Sequence, residues 1–407
     1  MRDLFGDSIR RHNIVVEKAK RFAALYNFKE LQLPILEFSE IFERNLGETS
    51  DVVMKEIYKF QDKSNNFLSL RPEFTAGVVR AILTNQELRE NLPLKLFSFG
   101  AVFRYDRPQK GRYRQFSQVN FEYFGNGSYL AEVEVLQMAN GFLSSLGLNN
   151  IKLEINSLGC SESRSKYEVA LREYFEKYRS DLSEYSQIRL EKNVLRILDS
   201  KEERDQKLLL DMPKLKDFYT LDDKEFFSCI LNKLELLHIK YHINPKLVRG
   251  LDYYTSIVFE FTTSELEAQP TVLAGGRYDS LFKNMGGAKE TPAIGFAAGI
   301  DRLMLLLKDT PSEIPPVALI SIGEKELDHC LKLQNMLRNN HLNIECFFTG
   351  KMKQKLSAAV KTGCKYAMII GEEEVIDKKI VIKNLGLGEE KKIKEEDVIT
   401  FLKNITV

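Results

Sequence analysis

The sequence predicts an α+β protein with a helical insertion and a separate α/β domain after it. Three observations carry that prediction. Two aromatic and β-branched runs, residues 95–103 and 116–125, flank a basic stretch and end near glycine, the pattern of a β-hairpin with a long tip. From about residue 160 to 237, charged helical segments replace the strand pattern. Beyond residues 308–316, which hold Pro311, Pro315 and Pro316, strand and helix patterns alternate to the end, as in an α/β domain. The expected boundaries are 1–159 and 238–308 for the two parts of the first domain, 160–237 for the insertion, 309–316 for a linker and 317–407 for the last domain.

The elements follow in order. Residues 7–26 read as an amphipathic helix, with Ile9, Val16, Ala19, Phe22 and Ala23 near helical spacing. The apolar run 31–36 is broken by Pro34, which suits a short strand end or an edge. Residues 57–61 and 66–70 pair around the polar turn 62–66. A helix near 74–86 precedes the hairpin, and a helix near 129–146 and a strand near 151–156 follow it. The insertion contains helices over 162–179 and 202–210. Strands return at 239–243, 253–262 and 271–274, with Gly275-Gly276 expected as a tight turn. A small-residue strand at 292–299 then feeds a helix at 300–307. The last domain reads as strands at 317–322, 344–349, 366–371 and 379–384, with helices at 324–339, 353–361 and 396–405.

Composition narrows the function. The chain has 407 residues, enough for two or three domains, and a net charge of only +1. Nucleic-acid contact must therefore come from local basic patches. No apolar run is long enough to span a bilayer, and the N-terminal residues lack a signal-peptide core, so no membrane partner is expected. The five cysteines are scattered and never spaced Cys-x-x-Cys, which favours a reducing, cytoplasmic setting. The sequence contains no P-loop, nucleophile elbow, dinucleotide fingerprint or metal-ligand motif. The metal ligands are therefore unknown at this level.

The hairpin tip carries Arg104, Arg107, Lys110, Arg112 and Arg114 among aromatic residues. Guanidinium groups grip phosphate oxygens in pairs and flat rings stack on bases, so such a tip suits a polyanion, although a basic tip can also simply face water. Further on, Gly295-Phe296-Ala297-Ala298-Gly299-Ile300-Asp301-Arg302-Leu303 joins a closely packing strand to a helix that begins with an arginine.

Together with Pro34, these two stretches resemble, in order, the three signature motifs of the class II aminoacyl-tRNA synthetases. Residues 247–254, Leu-Val-Arg-Gly-Leu-Asp-Tyr-Tyr, and 274–279, Ala-Gly-Gly-Arg-Tyr-Asp, resemble the two histidine-specific motifs of the histidyl-tRNA synthetase family. Residues 71–76, Arg-Pro-Glu-Phe-Thr-Ala, resemble that family's amino-acid loop. The resemblance runs from about residue 3 to the C-terminal end. It implies a catalytic domain built on a mostly antiparallel sheet flanked by helices, and a C-terminal domain that binds the anticodon. The implied partners are ATP with Mg2+, L-histidine and tRNA(His), acting in a homodimer whose interface lies near Pro34.

The resemblance also implies roles residue by residue. Arg104 would hold the α-phosphate, Arg112 the β- and γ-phosphates and Arg302 the γ-phosphate, with Asp106 in the ATP site and Phe116 stacked on adenine. Arg249 would meet the α-phosphate from the face opposite Arg104. These two arginines are the implied catalytic pair, although Arg249 could instead bridge to nearby Asp252. Glu122 and Tyr254 would bracket the imidazole, with Tyr253 lining the pocket. Glu73 and Thr75 would take the ammonium group and Gln118 the carboxylate. The chain departs from the family at Asp106 and Asp301, where glutamate is common, and at Phe74, where many relatives have glycine and where the larger ring could narrow the pocket entrance. A histidine-sensing regulatory subunit of ATP phosphoribosyltransferase is the alternative. Such relatives generally lack the C-terminal domain and the active-site arginines, both of which are kept here.

Overall fold

The computed structural model describes residues 2–43, 55–107, 111–249, 253–266, 270–308 and 314–406. The chain divides into two compact units, Met1–Thr310 and Pro311–Val407.

The first unit opens with α1 (Asp7–Leu25), β1 (Lys29–Glu30), β2 (Leu36–Phe38), α2 (Glu40–Glu43), β3 (Tyr58–Gln61), β4 (Phe67–Leu70), α3 (Thr75–Thr84) and α4 (Gln86–Glu90). The hairpin strands β5 (Leu94–Phe103) and β6 (Gln115–Phe124) lead to α5 (Tyr129–Ser145) and β7 (Lys152–Ser157). Helices α6 (Ser161–Glu176), α7 (Glu184–Lys192), α8 (Glu203–Leu208) and α9 (Leu221–Leu236) come next. The unit closes with β8 (Tyr241–Ile243), β9 (Ile257–Thr262), β10 (Thr271–Arg277), α10 (Leu281–Asn284), β11 (Ala293–Gly299) and α11 (Ile300–Leu306).

Among the described residues the main sheet has the order β1-β5-β6-β11-β10-β9-β7-β8. The inner pairings are antiparallel, and the outermost pairing at each edge is parallel. A small antiparallel sheet, β2-β4-β3, stands apart. Alternation along β6 sorts its side chains. Val119, Phe121 and Tyr123 join one core with Val15, Val16 and Ala19 of α1 and Val135, Met138 and Phe142 of α5. Gln118, Asn120 and Glu122 point to the other face.

Three local expectations change. Gly275 and Gly276 lie inside β10 and form no turn. A Cβ on Gly275 would fall 2.1 Å from the Gly295 carbonyl oxygen, so glycine permits the close approach of β11. Residues 253–256 precede β9 rather than belong to it, which puts Tyr253 and Tyr254 in a turn. Residues 31–35 connect β1 to β2, which Leu36 opens, and Pro34 is not in a strand.

In the second unit, β12 (Val317–Ser321), α12 (Leu327–Asn339), β13 (Ile344–Phe347), α13 (Met352–Lys361), β14 (Tyr366–Ile370), α14 (Glu372–Asp377), β15 (Lys379–Asn384), β16 (Glu390–Lys394) and α15 (Val398–Thr406) alternate. The sheet order is β13-β12-β14-β15-β16, parallel over its first three strands and antiparallel over the rest. The strand β16, Glu-Lys-Lys-Ile-Lys, was not foreseen because an exposed edge strand keeps charges where a buried one keeps apolar residues.

The inserted helices leave after β7 and return in β8, its parallel neighbour. Within them, one carboxylate ties the start of α7 to α8. Asp205 accepts the Ser183 N–H at 2.8 Å and the hydroxyls of Ser183, Ser186 and Ser200 at 2.7, 2.6 and 2.5 Å. Removing it leaves three buried hydroxyls and an amide without that acceptor. We expect Asp205→Ala to cost roughly 3–5 kcal/mol, in the range seen for breaking a buried charged network. Hydrogen exchange should accelerate over residues 183–209 and stay slow in β6 and β11.

Candidate active site

A cavity of about 250 Å³ opens at the polar face of β6. All twelve side chains implied for ATP or histidine line it. They come from the start of α3, both limbs of the hairpin, the turn before β9 and the first turn of α11. The tip residues 108–110, and Gly250, Leu251 and Asp252 of the first histidine-specific motif, lie outside the described residues.

Glu122 is the floor of one end, only 1% exposed. Its strand neighbours in register are Leu96 and Gly295. The glycine is required, because a Cβ there would sit 1.6 Å from Glu122 Oε2. Thr75 Oγ1 donates to Glu122 Oε1 at 2.5 Å and Asn120 Nδ2 donates to the same oxygen at 2.9 Å. The Tyr278 hydroxyl donates to Oε2. Burial pushes the Glu122 carboxyl up to about 7 despite these three donors, and nearby Glu73 adds to the rise. Glu122 is therefore no outward-facing strand residue.

Glu73 folds back over the start of α3. It accepts the Thr75 N–H at 2.5 Å and the Ala76 N–H at 2.9 Å. Burial raises its pKa, and those two amides together with Arg104 hold the rise back. The rings of Tyr253, Tyr254 and Tyr278 close the wall, with Tyr253 and Tyr254 centroids 4.6 Å apart and Tyr253 and Tyr278 5.5 Å apart. A Cβ on Gly276 would press within 2.7 Å of the Tyr254 ring. Gln118 faces glycine on both sides, Gly100 and Gly299, and its Oε1 is buried with no partner among the described residues. Phe74 lines the cavity, yet its ring is 2% exposed and packs beneath the Arg71 guanidinium at 4.3 Å.

The other end gathers cations. Arg104 donates from Nε to the Pro72 carbonyl at 3.0 Å, with its guanidinium 5.6 Å from the Phe116 ring. Burial lowers its pKa. Arg302 donates to the Thr271 carbonyl at 2.7 Å and to the Gly111 carbonyl at 3.3 Å. Its pKa falls to about 10, first through burial and then through repulsion by Arg104 and Arg112. Arg112 pairs with Asp106 and lies 3.7 Å from Glu56. Arg249 pairs with Glu260, and its Nε is buried without a partner among the described residues. Burial alone would lower the Arg249 pKa, but Glu260 and the two tyrosines more than offset it. A half-buried set of guanidinium groups, three of them close enough for repulsion to be felt, suits a ligand that carries several negative charges.

Comparison with known proteins decides the family. A family model described as histidyl-tRNA synthetase matches residues 1–303, and one described as an anticodon binding domain matches residues 316–405. The chain belongs to the histidyl-tRNA synthetase family. It is 47% identical to the histidine–tRNA ligase of Rickettsia bellii, over 96% of this chain and 94% of the relative. It is also 47% identical to that of Wolbachia pipientis wMel, over 98% and 97%. The crystal structure of apo histidyl-tRNA synthetase from S. aureus superposes with a TM-score of 0.82 at 30% identity, covering 99% of this chain and 98% of that one. The eight-stranded mixed sheet with flanking helices is thus the class II fold of this family.

Several residues at the site were not singled out in the sequence. Asn120 was legible as the middle member of the alternating set Gln118, Asn120, Glu122. Tyr278 stood in a recognised motif without an assigned role. Glu260, an acid inside the apolar strand Ile-Val-Phe-Glu-Phe-Thr, takes the place beside Arg249 that Asp252 was considered for. Glu56 gave no local signal.

Glu122 makes a prediction about pH. A glutamate ordinarily ionises near 4.5, and here near 7. The folded state holds the proton more tightly, so this group's contribution to stability falls as pH rises from about 4.5 to 7 and stays low above that. Glu122→Gln cannot ionise. Between pH 4.5 and 8 the stability difference should move in the variant's favour by on the order of 1–3 kcal/mol. Thermal melts across that range would read it, and a pH-independent difference would contradict the assigned environment.

Proposed function

We infer that the chain is a histidine–tRNA ligase: it joins histidine and ATP into histidyl-adenylate and then transfers histidine to the 3′ end of its tRNA, releasing pyrophosphate and AMP. The observation that carries this reading is one cavity with a buried carboxylate at one end and four arginines at the other. The histidine carboxylate attacks the α-phosphorus of ATP, the new C–O–P linkage forms as the α–β bridge breaks, and pyrophosphate leaves with the bridging electrons. The nucleophile belongs to the substrate, so the protein's part is alignment and charge neutralisation.

In this reading Glu122 accepts an N–H of the imidazole, with Tyr254 across the ring and Tyr253 beside it. A competitor lacking that N–H leaves the carboxylate unpaired, which rejects it by roughly 10⁴-fold or more. Glu73 and Thr75 take the ammonium group. Gln118 meets the carboxylate through its amide N–H, and its orphaned Oε1 supports a role toward bound ligand. Arg104 and Arg249 neutralise the α-phosphate from opposite faces. Arg112 holds the β- and γ-phosphates, Arg302 the γ-phosphate, and Phe116 the adenine. Asp106 sets the direction of Arg112.

Among the described residues no three acidic, cysteine or histidine side chains gather to hold a metal. Asp106 and Asp301 are each engaged by an arginine. Magnesium is accordingly written as part of the substrate, MgATP. A homodimer is proposed from the exposed Ile35, Leu36, Phe38 and Phe60 beside Pro34, of which Leu36, Phe38 and Phe60 share one face of the small sheet. No described helix is long and apolar enough to cross a membrane, and a cytoplasmic location is proposed. The second unit is assigned to the anticodon, with residues 317–407 as the domain.

The test is ATP–pyrophosphate exchange with each of the twenty amino acids. Histidine alone should support exchange, and Arg249→Ala should reduce it at least 10³-fold in a protein that melts like its parent. Exchange with another amino acid, or none, would overturn the reading. A chain ending at residue 316 should still form adenylate but charge tRNA poorly. Full-rate charging would refute the assignment of the second unit.

A further inference from the structure

The cationic end of the cavity is braced by a residue with no part in the reading above. Arg2 donates from Nη2 to Asp301 Oδ1 at 2.9 Å and from Nη1 to the Tyr113 hydroxyl at 3.0 Å. Its guanidinium also lies 4.5 Å from the Tyr113 ring centroid. The other Asp301 oxygen accepts the Ser117 N–H at 2.7 Å. Asp301 is the second residue of α11, and Arg302 follows it. One helical turn thus grips the returning limb of the hairpin at Gly111 through Arg302, at Tyr113 through Arg2 and Asp301, and at Ser117 through Asp301 directly.

That limb carries Arg112 and Phe116. Arg112 sits between the two gripped positions, Gly111 and Tyr113, so its reach into the cavity depends on them.

We propose that Arg2 is a positioning residue for ATP: through Asp301 and Tyr113 it sets the hairpin limb that bears Arg112 and Phe116. The proposal rests on the ATP assignment of this cavity end. Arg2 touches neither substrate in that assignment, and it lies far along the chain from the pocket motifs.

The experiment measures ATP affinity directly, by titration of the full chain with MgATP, alongside the KM values for ATP and histidine in pyrophosphate exchange. Arg2→Ala should weaken ATP binding and raise its KM about tenfold, the effect of losing one partly exposed charge-assisted contact. The histidine KM should stay within about twofold of the parent. Arg2→Lys, which keeps the charge on Asp301 but cannot reach Tyr113 as well, should recover part of the loss, and Tyr113→Phe should reproduce the part it does not recover. Unchanged ATP affinity in Arg2→Ala would overturn the proposal. So would an equal rise in both KM values with a lowered melting temperature, since that is what a general folding defect does. Weakened ATP binding in Arg2→Ala, together with exchange that responds to some other amino acid, would keep this proposal and discard the histidine reading instead.

Discussion

The first unit depends on the burial of one carboxylate in the middle of a sheet. Taking a charge out of water costs several kcal/mol after relaxation, and each hydrogen bond to a charged group returns about 1.5–3 kcal/mol. Glu122 has three donors. They hold the carboxyl in place but do not fully offset the loss of water, which is why its pKa rests near 7 instead of falling. The neighbouring structure follows from this one group. Gly295 is bare because the Glu122 side chain occupies the space a Cβ would take. Thr75 opens α3 where its hydroxyl meets Oε1, and Tyr278 ends a strand–turn where its hydroxyl meets Oε2. The remaining demand for a hydrogen bond is what an imidazole N–H can satisfy.

The opposite end of the cavity is held out of balance in the other direction. Burial lowers the proton affinity of Arg104 and Arg302; the charge of Arg112 lowers both further, and that of Arg104 lowers Arg302. The fold fastens two of these guanidinium groups to carbonyls, Arg104 to one and Arg302 to two, while Arg112 is paired with the Asp106 carboxylate. Carbonyls orient a guanidinium without cancelling its charge. In the proposed reading a polyphosphate relieves this repulsion, most of all in the transition state, where charge spreads over the oxygens of the transferred group.

Much of this was legible in the chain. The hairpin, the small-residue strand before α11 and the placement of Gln118 and Glu122 on one face follow from alternation and from glycine. What was not legible depends on packing between distant segments. Gly275-Gly276 reads locally as a turn, yet the pair lies flat in β10 because Gly295 of the next strand approaches its backbone. Tyr253 and Tyr254 look like strand residues by composition, but they are held in a turn by their contacts with Tyr278 and Arg249. Glu260 and Arg2 acquire meaning only once β9 lies beside the turn bearing Arg249, and α11 beside the N-terminal segment. A single strand's pattern records which face is buried, not which remote charge will be brought against it.

The two ends of the cavity also differ in how they tolerate change. At the Glu122 end Gly295 and Gly276 leave less than a methyl group of free space, so substitution there changes shape first and charge second. At the arginine end the side chains are longer and partly exposed, and ion pairs such as Arg112 with Asp106 and Arg2 with Asp301 orient them. Asp106 and Asp301 both lie at this end. Asp301 meets Arg2 at 2.9 Å and the Ser117 amide at 2.7 Å, and the length of the arginine lets it follow the carboxylate. An ion pair between flexible side chains can adapt in this way. A carboxylate wedged against a glycine backbone, as Glu122 is against Gly295, cannot.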